Sequence, residues 1–120
     1  MSNAVNWFEI PVKDFNRAKN FYSTIFDIDM QEQTMGPYQM GFFPGGGVGG
    51  AIVKGEGNVP SKEGVVVYLN GGDDLTAILN KVEKSGGKIT EPKRMVTEEI
   101  GYIAFFTDTE GNRIGLHSPK

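Results

Sequence analysis

The sequence contains no cysteine, only one histidine and no apolar segment long enough to cross a membrane. The lack of cysteine excludes disulfides, thiolate nucleophiles and cysteine-ligated zinc. A metal site with two histidines would need a second chain. The first residues also lack the basic segment and the long apolar run of a secretory signal, so we expect a cytoplasmic protein.

Positive and negative charges nearly balance, with a small excess of acidic residues. The chain has 12 Lys and Arg against 15 Asp and Glu, a formal net charge of −3, and the charges are dispersed. This balance does not favour a nucleic-acid or anionic-membrane partner. A hydrophobic content of 38% over 120 residues is enough for one packed core. We therefore predict a single globular domain.

The first half of the chain predicts a strand, a helix and three further strands. Residues 5–12 alternate in polarity, with Trp7 and Glu9 on the face opposite the apolar side chains. Asp14 predicts the N-cap of a helix over residues 15–26, where apolar residues recur at helical spacing. The three strands are predicted at residues 29–33, 38–43 and 48–54.

The second half repeats this order after a polar linker at residues 54–64. Tyr68 and Asn70 share one face of a strand over residues 65–70, and Asp73 or Asp74 predicts the cap of a second helix. The sequence thus predicts two βαβββ modules at about residues 4–54 and about 64–118. The last elements are predicted as a short strand at residues 88–91, an irregular connection at 92–99, and strands at 102–106 and 113–117 joined by a turn.

Four segments carry a family resemblance: FEIPVKDFNRAKNFY at residues 8–22, VVVYLN at 65–70, SGGKI at 85–89, and the closing hairpin at 101–118. Their order and spacing resemble the vicinal oxygen chelate (glyoxalase/bleomycin resistance/dioxygenase) superfamily. The resemblance implies an α+β fold in which curved mixed sheets surround a central cavity, with the helices outside. It also implies a homodimer.

The resemblance further implies four metal-ligand positions, two in each module, which His, Glu or Gln usually fill. Carried onto this chain, they fall at Trp7, at about residues 49–51, at Val66 or Val67, and at Gly115. None of these residues offers a metal a nitrogen or oxygen ligand from its side chain. The resemblance therefore implies a member that binds no metal at this position and uses no cofactor.

Five residues are predicted to bind a ligand: Trp7, Glu9, Tyr68, Asn70 and His117. Aromatic rings with a few polar groups are typical of a pocket for a small molecule. The alternative for Trp7 is that its ring only fills the space of a lost metal. The alternative for His117 is a histidine near the end of the chain, in contact with water or a neighbouring carboxylate.

Glu9 and His117 are also the candidates for catalysis, as a general acid and base. A displaced metal site is a second possibility, with these two residues joined by Glu98 or Glu99. The glycines at positions 45, 47 and 50 match a phosphate-binding pattern, but no helical pattern follows them, so a hairpin turn is predicted instead.

The leading hypothesis is a metal-free protein that binds a small organic molecule in an aromatic-lined cavity. The first alternative is a lyase, isomerase or dioxygenase that uses a relocated or inter-subunit metal, or acid–base chemistry by Glu9 and His117. The second alternative is an accessory module for protein–protein contact. These hypotheses differ in whether a metal and a turnover reaction are required.

Overall fold

The computed structural model describes residues 3–120, and its elements follow the order βαβββ twice. This order confirms the predicted α+β class. The first set is β1 (Trp7–Pro11), α1 (Phe15–Phe26), β2 (Gln31–Met35), β3 (Tyr38–Phe42) and β4 (Gly49–Lys54). The second set is β5 (Val67–Asn70), α2 (Thr76–Val82), β6 (Lys88–Thr97), β7 (Gly101–Thr107) and β8 (Arg113–Ser118).

The two sets form two compact units, and the second begins at Ser61. Each unit holds a four-stranded mixed sheet, with strand orders β1-β4-β3-β2 and β5-β8-β7-β6. In each sheet the first strand pairs in parallel with the last, and all other pairs are antiparallel. Neither helix in the described range 3–120 is long and apolar enough to span a membrane.

Helix α1 begins and ends where the sequence predicts. The Asp14 side chain accepts a hydrogen bond from the Arg17 amide at 3.0 Å, as an N-cap does. The helix buries its apolar stripe, and Tyr22 packs edge-on against Phe43, with ring centroids 5.5 Å apart. Phe8 of β1 contacts the same Phe43 ring at 5.5 Å, so aromatic side chains join this helix to its sheet.

Helix α2 begins slightly later than predicted. Leu75 occupies the cap position, and Asp74 rather than Asp73 accepts the Thr76 amide, at 2.9 Å. The Leu75 amide donates to the buried Ser118 hydroxyl at 2.9 Å, which ties the start of α2 to β8. The helix continues into a 3₁₀ turn and ends at a left-handed Gly86 (φ 106°), the predicted stop.

The irregular connection predicted for residues 92–99 is wrong, because β6 continues through Pro92 to Thr97. Its pairing with β7 shifts register between Glu91 and Arg94, on either side of Pro92. A proline lacks the N–H that a ladder needs, and a register shift is where a strand tolerates it. The proline therefore marks a bulge in a long edge strand.

The two predicted turns, between β7 and β8 and between β3 and β4, are present. Asp108, only 4% exposed, accepts hydrogen bonds from the amides of Glu110 and Asn112, each at 2.9 Å. Asn112 in turn accepts from the Ser61 amide at 3.0 Å, which holds the end of the linker to the β7–β8 turn. The glycines at positions 45–47 lie in the connection between β3 and β4, and no helix follows them.

Asp74, beside the start of α2, forms an ion pair with Lys93 of β6. Hydrogen bonds from the Lys93 ammonium (2.8 Å) and from Thr76 hold the pKa of Asp74 well below its ordinary value of 3.8. Folding thus favours the charged carboxylate. The stability that this charge contributes is present above the pKa of Asp74 in the unfolded chain, and it is lost as the pH falls from that value through the lower pKa of the folded state. Asp74→Asn should be less stable than the natural protein at neutral pH, with a gap that narrows in acid.

The difference in stability between Asp74→Asn and the natural protein can be measured from their urea unfolding midpoints between neutral and acidic pH. Asp73→Asn is the matched control, because Asp73 is an exposed neighbour outside this ion pair. A stability gap that stays constant into acid would show that the charge of Asp74 is not what stabilises the fold.

Candidate functional site

The first sheet has one face turned away from α1, and Trp7 and Glu9 lie on it. The register places Trp7 of β1 beside Gly49 of β4. Two residues further along, Glu9 lies beside Ala51, and Phe42 of β3 lies on the other side of Ala51. Residues paired in this way point to the same side of a sheet. This side is called the first open face.

The ring of Trp7 covers Gly49. A Cβ atom on Gly49 would lie only 2.9 Å from Cζ3 of Trp7, so a side chain there would push the ring from its present position. The indole Nε1 donates to the Glu9 carboxylate at 3.2 Å, and the Phe42 ring lies 6.1 Å away. Trp7 is still 46% exposed. The ring is therefore held in place while much of its surface stays accessible.

A cavity of about 820 Å³ opens over the first open face. Buried Met40 and Val53 contribute to its lining. The charged side chains in the lining are Glu9 and Glu56, so the cavity is acidic. Its remaining large apolar side chains come from the first three strands and are Trp7, Met35, Tyr38 and Phe42.

The second sheet repeats the arrangement of an aromatic ring over a glycine. Tyr68 of β5 lies beside Gly115 of β8, and a Cβ atom on Gly115 would lie 2.6 Å from Cδ2 of Tyr68. The Phe105 ring packs edge-on against Tyr68 at 5.5 Å. Tyr68 is 51% exposed. Two residues further along β5, Asn70 lies beside His117 on the same side, here called the second open face.

A cavity of about 710 Å³ opens over the second open face. Tyr68, Asn70 and His117 line it, together with apolar side chains that include Ile100 and Ile103. No Asp, Glu, Lys or Arg of the described chain is among its lining residues. This cavity therefore differs in charge from the acidic cavity of the first unit.

His117 has a hydrogen-bond partner that the sequence did not predict. Its Nε2 atom hydrogen-bonds the backbone carbonyl of Ile100 at 2.5 Å. Ile100 follows β6, and its own amide donates to the Thr97 hydroxyl at 3.0 Å. Asn70 accepts a hydrogen bond from the Gly72 amide through Oδ1 at 2.8 Å. Both polar side chains of the second open face are thus held by backbone groups.

The predicted site residues therefore form two groups. Trp7 and Glu9 share the first open face, and Tyr68, Asn70 and His117 share the second. The pairing of Glu9 with His117 as acid and base stays a prediction. Within residues 3–120, no three His, Asp or Glu side chains cluster closely enough to hold a metal ion.

The four inherited metal positions do not fit a divalent metal. The strand pairing makes Tyr68 the counterpart of Trp7, since each faces a glycine of the last strand of its module. The sequence had placed this third position earlier, at Val66 or Val67. Indole and glycine offer no metal ligand, and the single phenol oxygen of Tyr68 is too few ligands for a divalent ion. The two rings also occupy the space above the glycines where longer side chains would extend.

Several lining residues escaped the sequence analysis. Tyr38 and Phe42 belong to a strand with apolar residues on both faces, so its alternation did not show which face is open. Ile100 lies beyond the segment whose β-structure was missed. Glu56 lies in the polar linker, where the sequence pattern predicts no tertiary contact. Tertiary structure was therefore needed to identify these residues as part of a cavity lining.

The close approach of Tyr68 to Gly115 gives a stability prediction. Gly115→Ala should lower the free energy of unfolding by about 1–3 kcal/mol, because the new methyl group overlaps the ring. In a Tyr68→Ala background the same change should cost less, since the ring is gone. Urea unfolding of all four proteins measures this coupling.

Gly46→Ala is the control, because a Cβ atom there meets nothing within 4 Å. Equal losses from Gly115→Ala with and without the Tyr68 ring would contradict the proposed overlap.

Comparison with known proteins gives the same family. A family model described as the Glyoxalase/Bleomycin resistance protein/Dioxygenase superfamily matches residues 4–116. A glyoxylase-like domain-containing protein of Didymella fabae is 33% identical over 113 residues, covering 90% of this chain and 88% of that protein. A putative glyoxylase, CFP32, of Mycobacterium bovis is 29% identical over 118 residues; the match covers 92% of this chain but 44% of that protein.

Among solved structures, TnmS3, an antibiotic binding protein from Streptomyces sp. CB03234, is 25% identical with a TM-score of 0.66. That alignment covers 100% of this chain and 99% of TnmS3. The duplicated βαβββ order, the matched family model and these relatives agree. The chain belongs to the glyoxalase/bleomycin resistance/dioxygenase superfamily.

Proposed function

We propose that this protein binds a small organic molecule on its aromatic-lined open faces and needs no metal to do so. The observation that carries the proposal is the pair of half-exposed rings, Trp7 and Tyr68, each held over a glycine at an inherited metal position. A ring fixed in this way presents a flat apolar surface without a further loss of side-chain freedom on binding.

The chemistry of the first open face favours an aromatic cation as the ligand there. Glu9 and Glu56 supply negative charge to the cavity, and Trp7 supplies the ring that attracts cations best. The hydrogen bond from the indole Nε1 to Glu9 places this carboxylate next to the ring. A flat cation would then stack on the indole with its charge near the carboxylate.

The description of TnmS3 as an antibiotic binding protein supports a binding role, because that protein covers the whole of this chain. The curated relatives described as glyoxylases support the alternative, an enzyme of the lyase, isomerase or dioxygenase type. The two functions predict different responses to metal. A binder should be indifferent to a chelator, whereas a metal-dependent enzyme should lose activity.

Binding can be followed through Trp7, since it is the only tryptophan of the chain. We expect small aromatic cations, such as N-methylquinolinium, to quench its fluorescence, and a chelator to leave the affinity unchanged. Trp7→Ala should weaken binding about tenfold or more, as loss of an aromatic anchor does, and calorimetry measures this without the indole.

Val59→Ala is the matched control, because Val59 is exposed but does not line the cavity. Equal weakening by both variants, or no binding from a broad panel of aromatic compounds, would contradict the proposal. Formation of lactoylglutathione above the uncatalysed rate, abolished by a chelator, would establish the enzyme alternative in its place.

A further inference from the structure

The second open face carries two polar side chains whose free atoms can be assigned. His117 and Asn70 are direct partners on the parallel strands β8 and β5. Adjacent strands lie about 4.8 Å apart, so one small planar group can reach both side chains. The cavity around them holds no Asp, Glu, Lys or Arg among its described lining residues. This surrounding favours an uncharged ligand.

The hydrogen bond to Ile100 fixes which nitrogen of His117 carries the proton. A backbone carbonyl can only accept, so Nε2 must donate. In the neutral ring this leaves Nδ1 with a lone pair, and no residue in the range 3–120 donates to it. The carbonyl is itself held, because the Ile100 amide binds the Thr97 hydroxyl. In the neutral ring, Nδ1 is therefore an available acceptor on a residue that lines the cavity.

Asn70 is also held by a backbone group, but here the acceptor atom is engaged and the donor is left. Its Oδ1 atom accepts the Gly72 amide at 2.8 Å, so the oxygen is engaged in the chain's own turn. The Nδ2 amide then remains as the donor, and no group of the described chain accepts from it. An acceptor on His117 and a donor on Asn70 therefore stand side by side, next to the exposed ring of Tyr68.

We infer that this cavity recognises a neutral planar molecule that carries an N–H donor beside a carbonyl, as a lactam or an imide does. The donor of the ligand binds Nδ1 of His117, its carbonyl accepts from Nδ2 of Asn70, and its flat face lies on Tyr68. The inference rests on the proposed binding function, but it concerns the second unit and uses no part of the Trp7 cavity.

The test uses untagged protein labelled with ¹⁵N-histidine, since the chain has a single histidine and its signals need no further assignment. At a pH where the ring is neutral, the free protein should show its proton on Nε2. Isoquinolin-1(2H)-one, a flat lactam, should shift the Nδ1 signal on titration, with an affinity on the order of 1 mM for a fragment of this size. Its N-methyl derivative lacks the donor and should bind about tenfold more weakly.

Asn70→Asp provides the matched variant. It keeps an oxygen for the Gly72 amide and replaces the donor with a second acceptor, so it should weaken the lactam about tenfold. Equal binding of the lactam and its N-methyl derivative, no binding of the lactam, or a tautomer protonated at Nδ1 would overturn the inference. In each case, quenching of Trp7 by other aromatic compounds would leave the proposed binding function intact. Failure of this inference can thus be distinguished from failure of the proposed function.

Discussion

The open faces of this protein depend on one steric constraint: a glycine in the last strand of each module lies beneath an aromatic ring in the first strand. Gly49 accepts the ring of Trp7, and Gly115 accepts the ring of Tyr68. Each ring is fixed from a second side as well, by the Glu9 carboxylate in the first sheet and by Phe105 in the second. The same contact thus fills the space above each glycine and presents an apolar surface on each sheet.

The two modules share their strand order but differ in the chemistry beside the ring. Two residues beyond the aromatic residue, the first module has Glu9 and the second has Asn70. Their cross-strand partners are Ala51 and His117. The first cavity is therefore acidic, and the second is uncharged with a donor and an acceptor in fixed positions. One repeated framework thus carries two surfaces of different chemistry.

Local patterns were enough for most of the fold. Helix α1 and its Asp14 cap followed from residues that are close in sequence, because caps and apolar stripes are local features. The extent of β6 did not, because its ladder with β7 accommodates Pro92 only through a register shift between distant residues. The candidate site was predictable only in part, because some of its contacts join residues that are distant in sequence. Trp7 and Tyr68 could be selected from the sequence, whereas the contact between His117 and Ile100 depends on tertiary structure.

The overlap of ring and glycine also restricts the order in which such a chain can change over evolutionary time. A glutamate gained at Gly115 would meet the Tyr68 ring, and one gained at Gly49 would meet Trp7. A side chain can be gained at either glycine only if the ring above it moves or becomes smaller, so the two positions of each pair do not change independently. Each module therefore couples the size of the ring on its first strand to the absence of a side chain on the strand beside it.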